Sequence, residues 1–514
     1  MLSNQSQNNK RIAKNTLFLY FRMLLLMVVN LYTSRVILQA LGVEDFGIYN
    51  VVGGVVAMFS VISGSLSAAI SRFLTFELGQ RNIDKLKRVF SASVTIQLLL
   101  SLLIIILAES IGFWFLNTQM TIPEDRIVAA NWVMQFSLFT FVINLISVPY
   151  NAAIIAHERM AAFAYVSIFE GVGKLGIAFI ILLSPIDRLV FYALLMCILA
   201  VIIRFLYGIY CKKNFEECEY YFRWDKEVLN KMFGFAGWNF LGASSGVLRD
   251  QGGNIVINIF CGPTVNAARG IAAQVNHAIS GFTTNFMTAL NPQITKSYAS
   301  GDYQYMMALI YQGARLSYYM LLLLSLPVLV DTHYILGLWL HHVPEHTVLF
   351  VRLILIFVLS ESISNPLITV MLATGNIRNY QIVVGGLQMM NLPISYVLLR
   401  IGMIPETVMI VAIIISQLCL IARLFMLRRM INLNICEYIK KVWMNVVVVS
   451  ILSTIVPFLL NEVTEESFIR FIWLTIVCLI NVVMVEFFVG CNSKEREFVT
   501  TKMSYIISKL KLRK

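Results

Sequence analysis

Long apolar runs dominate this chain and constrain its fold more than any other feature. We count fourteen runs that could each cross a bilayer as one helix, since ~20 residues span the hydrocarbon core. With 58% hydrophobic and 13% charged residues among 514, a soluble domain could not hide the apolar surface. The sequence therefore predicts an all-α integral membrane protein. The runs are approximately 16–41, 47–70, 89–116, 127–151, 160–183, 188–211, 229–261, 265–290, 305–330, 347–372, 379–402, 405–427, 442–461 and 468–490.

Lys and Arg are distributed unevenly between the segments that connect these runs. With the N-terminus in the cytoplasm, the inner segments hold 28 of them, Arg72 and Arg423 included, and the outer loops hold four. This asymmetry is what the positive-inside rule describes, and it explains the net charge of +12 without nucleic acid as a partner. We therefore expect both termini in the cytoplasm.

An internal repeat is visible in the position of two turns. The segment "LQALGVEDFGIY" (38–49) occupies a tight loop between runs one and two, and "NIFCGPTVNAAR" (258–269) occupies the equivalent loop between runs seven and eight. Gly42 then falls on Gly262. Two six-helix lobes related by a parallel repeat, which is a transporter signature, would explain the match. The predicted division is an N-lobe of helices 1–6 (1–211), a linker (212–231), a C-lobe of helices 7–12 (232–430), two added helices (431–490) and a basic cytoplasmic tail (491–514).

Eight cations and five acids lie within the predicted spans, where ionisable side chains are costly and usually functional. Either snorkelling to the headgroups or a position facing a cavity would explain Arg22, Arg35, Arg204 and Arg352. Snorkelling fits Arg249 less well, because this residue lies ~20 Å of helix before Gly262. Arg249 and Asp250 point ~100° apart, so we expect that they do not simply neutralise each other.

The surplus of cations favours an anionic ligand, and the planar fork of Arg matches phosphate. Other charged residues have either a pairing or an ion-coupling role: Lys174 follows Glu170 by four residues on one helix face, and Asp250, Glu170 or Glu361 could carry a proton. The sequence contains no P-loop, no catalytic constellation and no zinc-ligand spacing. We therefore expect no enzyme activity, no cofactor and no metal site.

The opening segment (15–74), with its intramembrane Arg and the motif "LGVEDFGIYNVV", resembles bacterial polysaccharide flippases of the multidrug/oligosaccharidyl-lipid/polysaccharide (MOP) exporter superfamily. The segment "GNIVINIFCGPTVNAARGIAAQV" (253–275) is similar to the start of that family's second lobe. The resemblance covers about residues 10–430 and implies a MATE-like fold. In that fold, two six-helix lobes surround a central cavity that opens alternately inward and outward.

The resemblance also implies a substrate, an undecaprenyl-diphosphate-linked oligosaccharide that is flipped across the bacterial cytoplasmic membrane for surface polysaccharide such as O-antigen. Four arginines would face its diphosphate: Arg22, Arg35, Arg249 and Arg269. Membrane lipids are further expected partners, and polysaccharide polymerase and glycosyltransferases are candidates.

Three alternatives remain open at the level of sequence. A cation-coupled multidrug exporter of the same fold would want an acidic cavity, which the charge balance disfavours. A flippase for the peptidoglycan lipid precursor has the same charge requirement, so charge does not distinguish it from a flippase for undecaprenyl-diphosphate-linked oligosaccharide. A membrane glycosyltransferase or polymerase would be expected to carry large outer loops with catalytic acids, whereas the outer loops here are short.

Overall fold

The computed structural model describes residues 2–57, 60–118, 123–184, 186–222, 225–340, 343–493, 495–497 and 500–501. Within these ranges nearly all of the backbone is helical, and the described residues contain no strand. The predicted all-α membrane fold is confirmed. The helices are α1 (Leu2–Ala57), α2 (Ser60–Gln80), α3 (Ile83–Leu107), α4 (Phe113–Thr118), α5 (Ile127–Ala156), α6 (Met160–Ile180), α7 (Arg188–Asn214), α8 (Lys226–Ala299), α9 (Tyr303–Val330), α10 (Thr332–Leu340), α11 (Thr347–Ser362), α12 (Asn365–Thr374), α13 (Arg378–Tyr380), α14 (Gly386–Met389), α15 (Asn391–Arg400), α16 (Thr407–Ile431), α17 (Ile435–Tyr438), α18 (Met444–Val463) and α19 (Phe468–Val485).

Judged by length and composition, fewer described helices qualify as membrane spans than the fourteen predicted. Ten described helices are long and apolar enough to cross a membrane, or eleven if α11 and α12, bent by 43° at their break, form one span. The exact count of fourteen is not confirmed. Runs seven and eight form the two arms of α8, whose Gly, Ser, Thr and Asn residues reduce its apolar character.

The two turns of the predicted repeat have the same backbone conformation. Gly42 in α1 has φ 80° and ψ 170°, and Gly262 in α8 has φ 81° and ψ 178°. This region of φ/ψ space is open to Gly and closed to other residues. We predicted tight loops here, but the helix continues on both sides of a single non-helical glycine. A one-residue break redirects the chain without a loop because only one pair of dihedral angles leaves the helical range.

The chain packs as two compact units. Unit 1 contains residues 1–244, 288–306 and 369–381, and unit 2 contains residues 245–287, 307–368 and 382–514. In unit 1, Leu19, Met160 and Ala289 form a fully buried core against which Ile155 and Phe163 pack. The division at the 212–231 linker stays a prediction.

A buried carboxylate holds together one end of unit 1. The side chain of Glu158, between α5 and α6, is completely buried and forms ion pairs with Arg11 (2.8 Å) and Lys296 (2.7 Å). It also accepts a hydrogen bond from Gln293, and its carbonyl oxygen accepts one from Asn15. These residues come from α1, the α5–α6 connection and the end of α8, all of which the charge distribution predicts on the cytoplasmic side.

The opposite ends of these helices carry a second cluster in unit 1. Arg126 donates hydrogen bonds to Asp45 and, over 2.6 Å, to Asp187. Arg188 donates to the carbonyl oxygen of Ala40 over 3.2 Å. The three segments involved are predicted to be outer loops. Segments assigned to one side by their Lys and Arg content therefore meet one another in the fold.

Candidate functional site

Intramembrane arginines gather in unit 2, on helices α8, α11 and α16. Arg249 is set by the first arm of α8, and its side chain is 17% exposed. It binds both carboxylate oxygens of Asp250, through Nε over 2.9 Å and through Nη2 over 3.2 Å. Its guanidinium also lies 3.8 Å from Glu361 and 4.9 Å from the ring centre of Phe357, both on α11.

The pairing of Arg249 with Asp250 contradicts our expectation that neighbours on a helix would not neutralise each other. The expectation considered only the ~100° between their Cα–Cβ directions. An arginine has a stem long enough to curve back along the helix surface, so its fork reaches the carboxylate of the next residue. The Asp250 side chain remains 59% exposed, which leaves this pair accessible from one side.

Arg269, on the second arm of α8, folds back against the first arm. Its Nη1 donates to the carbonyl oxygen of Asp250 (3.0 Å) and to the side-chain oxygen of Asn254 (2.6 Å). The approach depends on Gly253, because a Cβ at that position would lie 2.9 Å from both terminal guanidinium nitrogens. Arg269 is therefore buried between the two arms of α8.

Arg423 on α16 was missed by the sequence reasoning. We counted it among the basic residues of an inner segment, yet it is 1% exposed and lies 3.7 Å from Glu361. Its position inside run twelve was the available signal. Glu361 therefore stands between two guanidinium groups, those of Arg249 and Arg423. We call the five residues Arg249, Asp250, Arg269, Glu361 and Arg423 the arginine cluster.

The remaining predicted site residues lie in unit 1 or outside the description. Arg22 donates to the hydroxyl of Ser167 (3.3 Å) and stacks 4.5 Å from the ring centre of Phe163. Glu170 and Lys174 form an ion pair of 2.7 Å, as their spacing favoured. The side chain of Arg35 lies outside the described residues.

Other intramembrane cations serve packing contacts. Arg315 binds Glu495 over 2.6 Å, Arg352 donates to the hydroxyl of Thr332 over 3.1 Å, and Arg204 stacks on Tyr150. Each contact joins two elements of the same unit. Among the described residues, no group of three or more His, Cys, Asp or Glu side chains could hold a metal ion.

Comparison of the sequence with known proteins identifies a matching family. A sequence profile described as "Polysaccharide biosynthesis protein" matches residues 10–298. None of the curated proteins compared matches the sequence.

Several solved transporters share the fold at low identity. A MATE transporter in its bent conformation superposes with a TM-score of 0.72 at 13% identity, over 83% of this chain and 96% of that one. An outward-facing multidrug resistance MATE family transporter of the MOP superfamily gives 0.71 at 13% identity, with the same coverage. A MOP superfamily transporter from Pyrococcus furiosus, described as having a binding pocket of reverse polarity that suggests a different function, gives 0.70 at 12% identity, also over 83% and 96%.

The chain is a multi-pass membrane protein with the fold of MOP superfamily transporters. Because the profile matches more than half of the chain, the chain belongs to the polysaccharide biosynthesis protein family, as the resemblance of its opening segment predicted.

Proposed function

We propose that this transporter flips an undecaprenyl-diphosphate-linked oligosaccharide from the cytoplasmic to the outer leaflet of the bacterial cytoplasmic membrane, by alternating access. The arginine cluster is the observation on which the proposal rests. Its three guanidinium groups face two carboxylates, so the cluster has a net charge of +1. A net positive charge in a medium that screens charge poorly attracts an anionic ligand.

The geometry of Arg249 favours phosphate as that anion. Asp250 occupies its fork through two parallel hydrogen bonds, which is the arrangement in which Arg binds two phosphate oxygens. A carboxylate whose side chain is 59% exposed has room to leave the fork. The diphosphate would therefore exchange with Asp250 at Arg249, while the hydrogen bonds from Arg269 keep the two arms of α8 in place.

The fold alone does not determine whether the transported substrate is anionic or cationic. Similar structures include a multidrug resistance transporter and a transporter described as having reverse polarity of its binding pocket. A cationic drug would be repelled by the arginine cluster, whereas a diphosphate would be attracted. Family membership supports polysaccharide biosynthesis as the setting.

Arg249 provides the decisive experiment. Purified protein is reconstituted in vesicles, and the outward movement of a fluorescent undecaprenyl-diphosphate glycan is measured by its accessibility to a membrane-impermeant quencher. We expect Arg249→Gln to abolish movement. Arg249→Lys keeps the charge but loses the two-point geometry, so we expect it to slow movement about tenfold.

Arg352→Gln is the matched control, since Arg352 is a partly buried arginine of unit 2 that binds the Thr332 hydroxyl outside the cluster. It should flip at the wild-type rate. Wild-type movement of the glycan lipid with full activity in Arg249→Gln would refute the assigned role. Export of a cationic dye by wild type, without glycan-lipid movement, would instead support the multidrug reading. Complementation of strains that lack either an oligosaccharide flippase or the peptidoglycan precursor flippase separates those two substrates.

A further inference from the structure

A basic cavity in unit 1 belongs to neither the arginine cluster nor the outer loops. Its volume is about 390 Å³, within the range of ligand sites, and its polar lining comes from Arg72, Asn230, Lys231, Trp238, Asn376 and Arg378. These residues come from the second half of α2, the first turns of α8 and the stretch from the α12–α13 connection to the first residue of α13. All three segments are predicted to face the cytoplasm, so the cavity lies at the end of unit 1 that carries Glu158 and Lys296.

Arg72 is held in place by contacts that do not neutralise it. Its Nη2 donates to the carbonyl oxygen of Ala373 over 2.9 Å, and its guanidinium lies 4.5 Å and 4.6 Å from the ring centres of Phe73 and Phe76. Among the described residues it forms no salt bridge, and its Nε has no hydrogen-bond partner. Glu77 acts on it only at longer range. The guanidinium is thus fixed by aromatic rings and one carbonyl while keeping its charge available.

The chain approaches Arg72 closely at a position that requires glycine. Gly375 has φ 78°, and a Cβ there would lie 2.5 Å from Nη2 of Arg72. This approach brings Asn376 and Arg378 to the cavity beside Arg72.

Two exposed cations complete the charge of the cavity. Arg378 lies 5.6 Å from the ring centre of Trp238, and Lys231 forms a surface ion pair with Glu227. Three cations therefore line the cavity; of the two carboxylates that act on them, Glu227 is solvated and Glu77 acts only at longer range. Trp side chains are enriched at the membrane–water boundary, at the level of the lipid headgroups. Cations in a fixed fork geometry next to such a ring match a phosphate that is attached to a lipid.

We propose that the basic cavity binds the phosphate of an anionic lipid on the cytoplasmic side of the membrane. Two lipids supply this chemistry: the diphosphate carrier lipid of the proposed substrate and an ordinary phospholipid such as phosphatidylglycerol. Only the first source rests on the proposed function. With that source, the cavity is a loading site that concentrates substrate before it reaches the arginine cluster.

Binding is tested with the full-length protein in nanodiscs of phosphatidylcholine. One series contains undecaprenyl diphosphate, a second contains phosphatidylglycerol, and a third receives soluble pyrophosphate. Tryptophan fluorescence is recorded for wild type and for Trp238→Phe, and the difference between them isolates the signal of Trp238. We expect saturable binding that weakens about tenfold or more in Lys231→Gln/Arg378→Gln, since each exposed cation donates a charge-assisted hydrogen bond.

The exposed positions are chosen because their replacement leaves the packing of Arg72 intact. Lys213→Gln is the matched control, because Lys213 is an exposed lysine predicted on the same side and does not line the cavity. It should bind as wild type does. Binding of undecaprenyl diphosphate alone identifies the substrate as the ligand, and binding of both lipids identifies anionic lipids in general.

Two results would overturn the proposal: equal affinity in wild type and the double variant, or binding of pyrophosphate without binding of either lipid. The assay does not require transport, so its outcome is independent of whether the vesicles show flipping. If wild type flips the glycan lipid and the cavity binds no lipid, only the cavity assignment fails.

Discussion

Replacement of Glu158 by Gln removes one buried negative charge while keeping the shape of the side chain. Glu158 also has a positive φ of 59°, and Gln preserves the Cβ and its backbone conformation, so the substitution isolates the charge. The carboxylate lies 2.7 Å from Nζ of Lys296, a side chain that is only 24% exposed. Burial lowers the pKa of Lys296 although Glu158 acts to raise it, which indicates that the ammonium depends on its partner.

The size of the effect follows from these contacts. At an effective dielectric constant of ~20, opposite charges 2.7 Å apart attract by ~6 kcal/mol, and desolvation cancels most of that attraction. A charge-assisted hydrogen bond retains ~1.5–3 kcal/mol, and the half-exposed Arg11 adds ~0.5–1 kcal/mol. We therefore expect Glu158→Gln to lower the local opening free energy by ~2–4 kcal/mol.

Hydrogen exchange measures this loss where it occurs. The amide of Arg159 donates to the carbonyl oxygen of Ile154 beside Glu158, and amides at the end of α8 lie next to Lys296. Their exchange should accelerate roughly 30- to 1,000-fold in Glu158→Gln, since ~1.4 kcal/mol is tenfold. In a double-mutant cycle with Lys296→Met, the coupling should be ~1.5–3 kcal/mol.

An exposed ion pair provides the control for the cycle. Lys441 and Glu437 are four residues apart, and their side chains are 57% and 37% exposed. Their coupling should not exceed ~0.5 kcal/mol. A coupling between Glu158 and Lys296 as small as this would refute the reasoning, because the buried carboxylate would then contribute no more than a surface one.

Three further predictions concern the non-helical Gly262, the Asp187 carboxylate bound by Arg126, and the membrane potential. Gly262→Ala should destabilise the protein by ~1–3 kcal/mol through backbone strain alone, since a Cβ at this position would meet nothing within 4 Å. Gly270→Ala, in the second helical arm of α8, should be neutral or stabilising. Thermal unfolding of the two variants measures the difference. Burial alone would raise the pKa of Asp187, but hydrogen bonds from backbone N–H groups at the start of α7 and from Arg126 bring it below its ordinary value. Its stabilising contribution is thus present above pH ~4 and is lost as pH falls through the lowered pKa, so the melting-temperature gap between wild type and Asp187→Asn should be constant from pH ~6 to pH ~4 and should narrow as the pH falls further. For a diphosphate of about two negative charges, 100 mV negative inside contributes ~4–5 kcal/mol to outward movement, so clamping the potential at zero in the flipping vesicles should abolish accumulation in the outer leaflet.

The sequence was most informative about features that depend on position along a helix. The match of Gly42 with Gly262 needed only an alignment of turns, and both glycines have the same special φ and ψ. The sides of the membrane were predicted from Lys and Arg content, and segments assigned to one side do meet, as at Glu158 and Arg126. Both inferences use one-dimensional order, which a helix preserves.

Partners of the buried charges were less predictable because they depend on helix rotation and side-chain reach. Arg249 bonds to its own neighbour, an outcome that the angle between Cβ directions cannot exclude. Arg423 was counted among the basic residues of an inner segment, yet only the packing of α16 against α11 decides that it faces Glu361. Arg72 likewise seemed an ordinary topology signal until the α12–α13 connection placed Arg378 at the same cavity.

The composition of the arginine cluster suits a transporter better than a tight binder. Three guanidinium groups with two carboxylates carry +1 when empty, and a diphosphate of about two negative charges changes the total to about −1. Neither state carries more than about one uncompensated charge, so neither is much more costly than the other in a medium that solvates ions poorly. A cluster with no acids would gain far more from the diphosphate and would release it slowly. On the proposed function, Asp250 and Glu361 would reclaim Arg249 as the substrate leaves, and turnover would then require these two acids as much as binding requires the arginines.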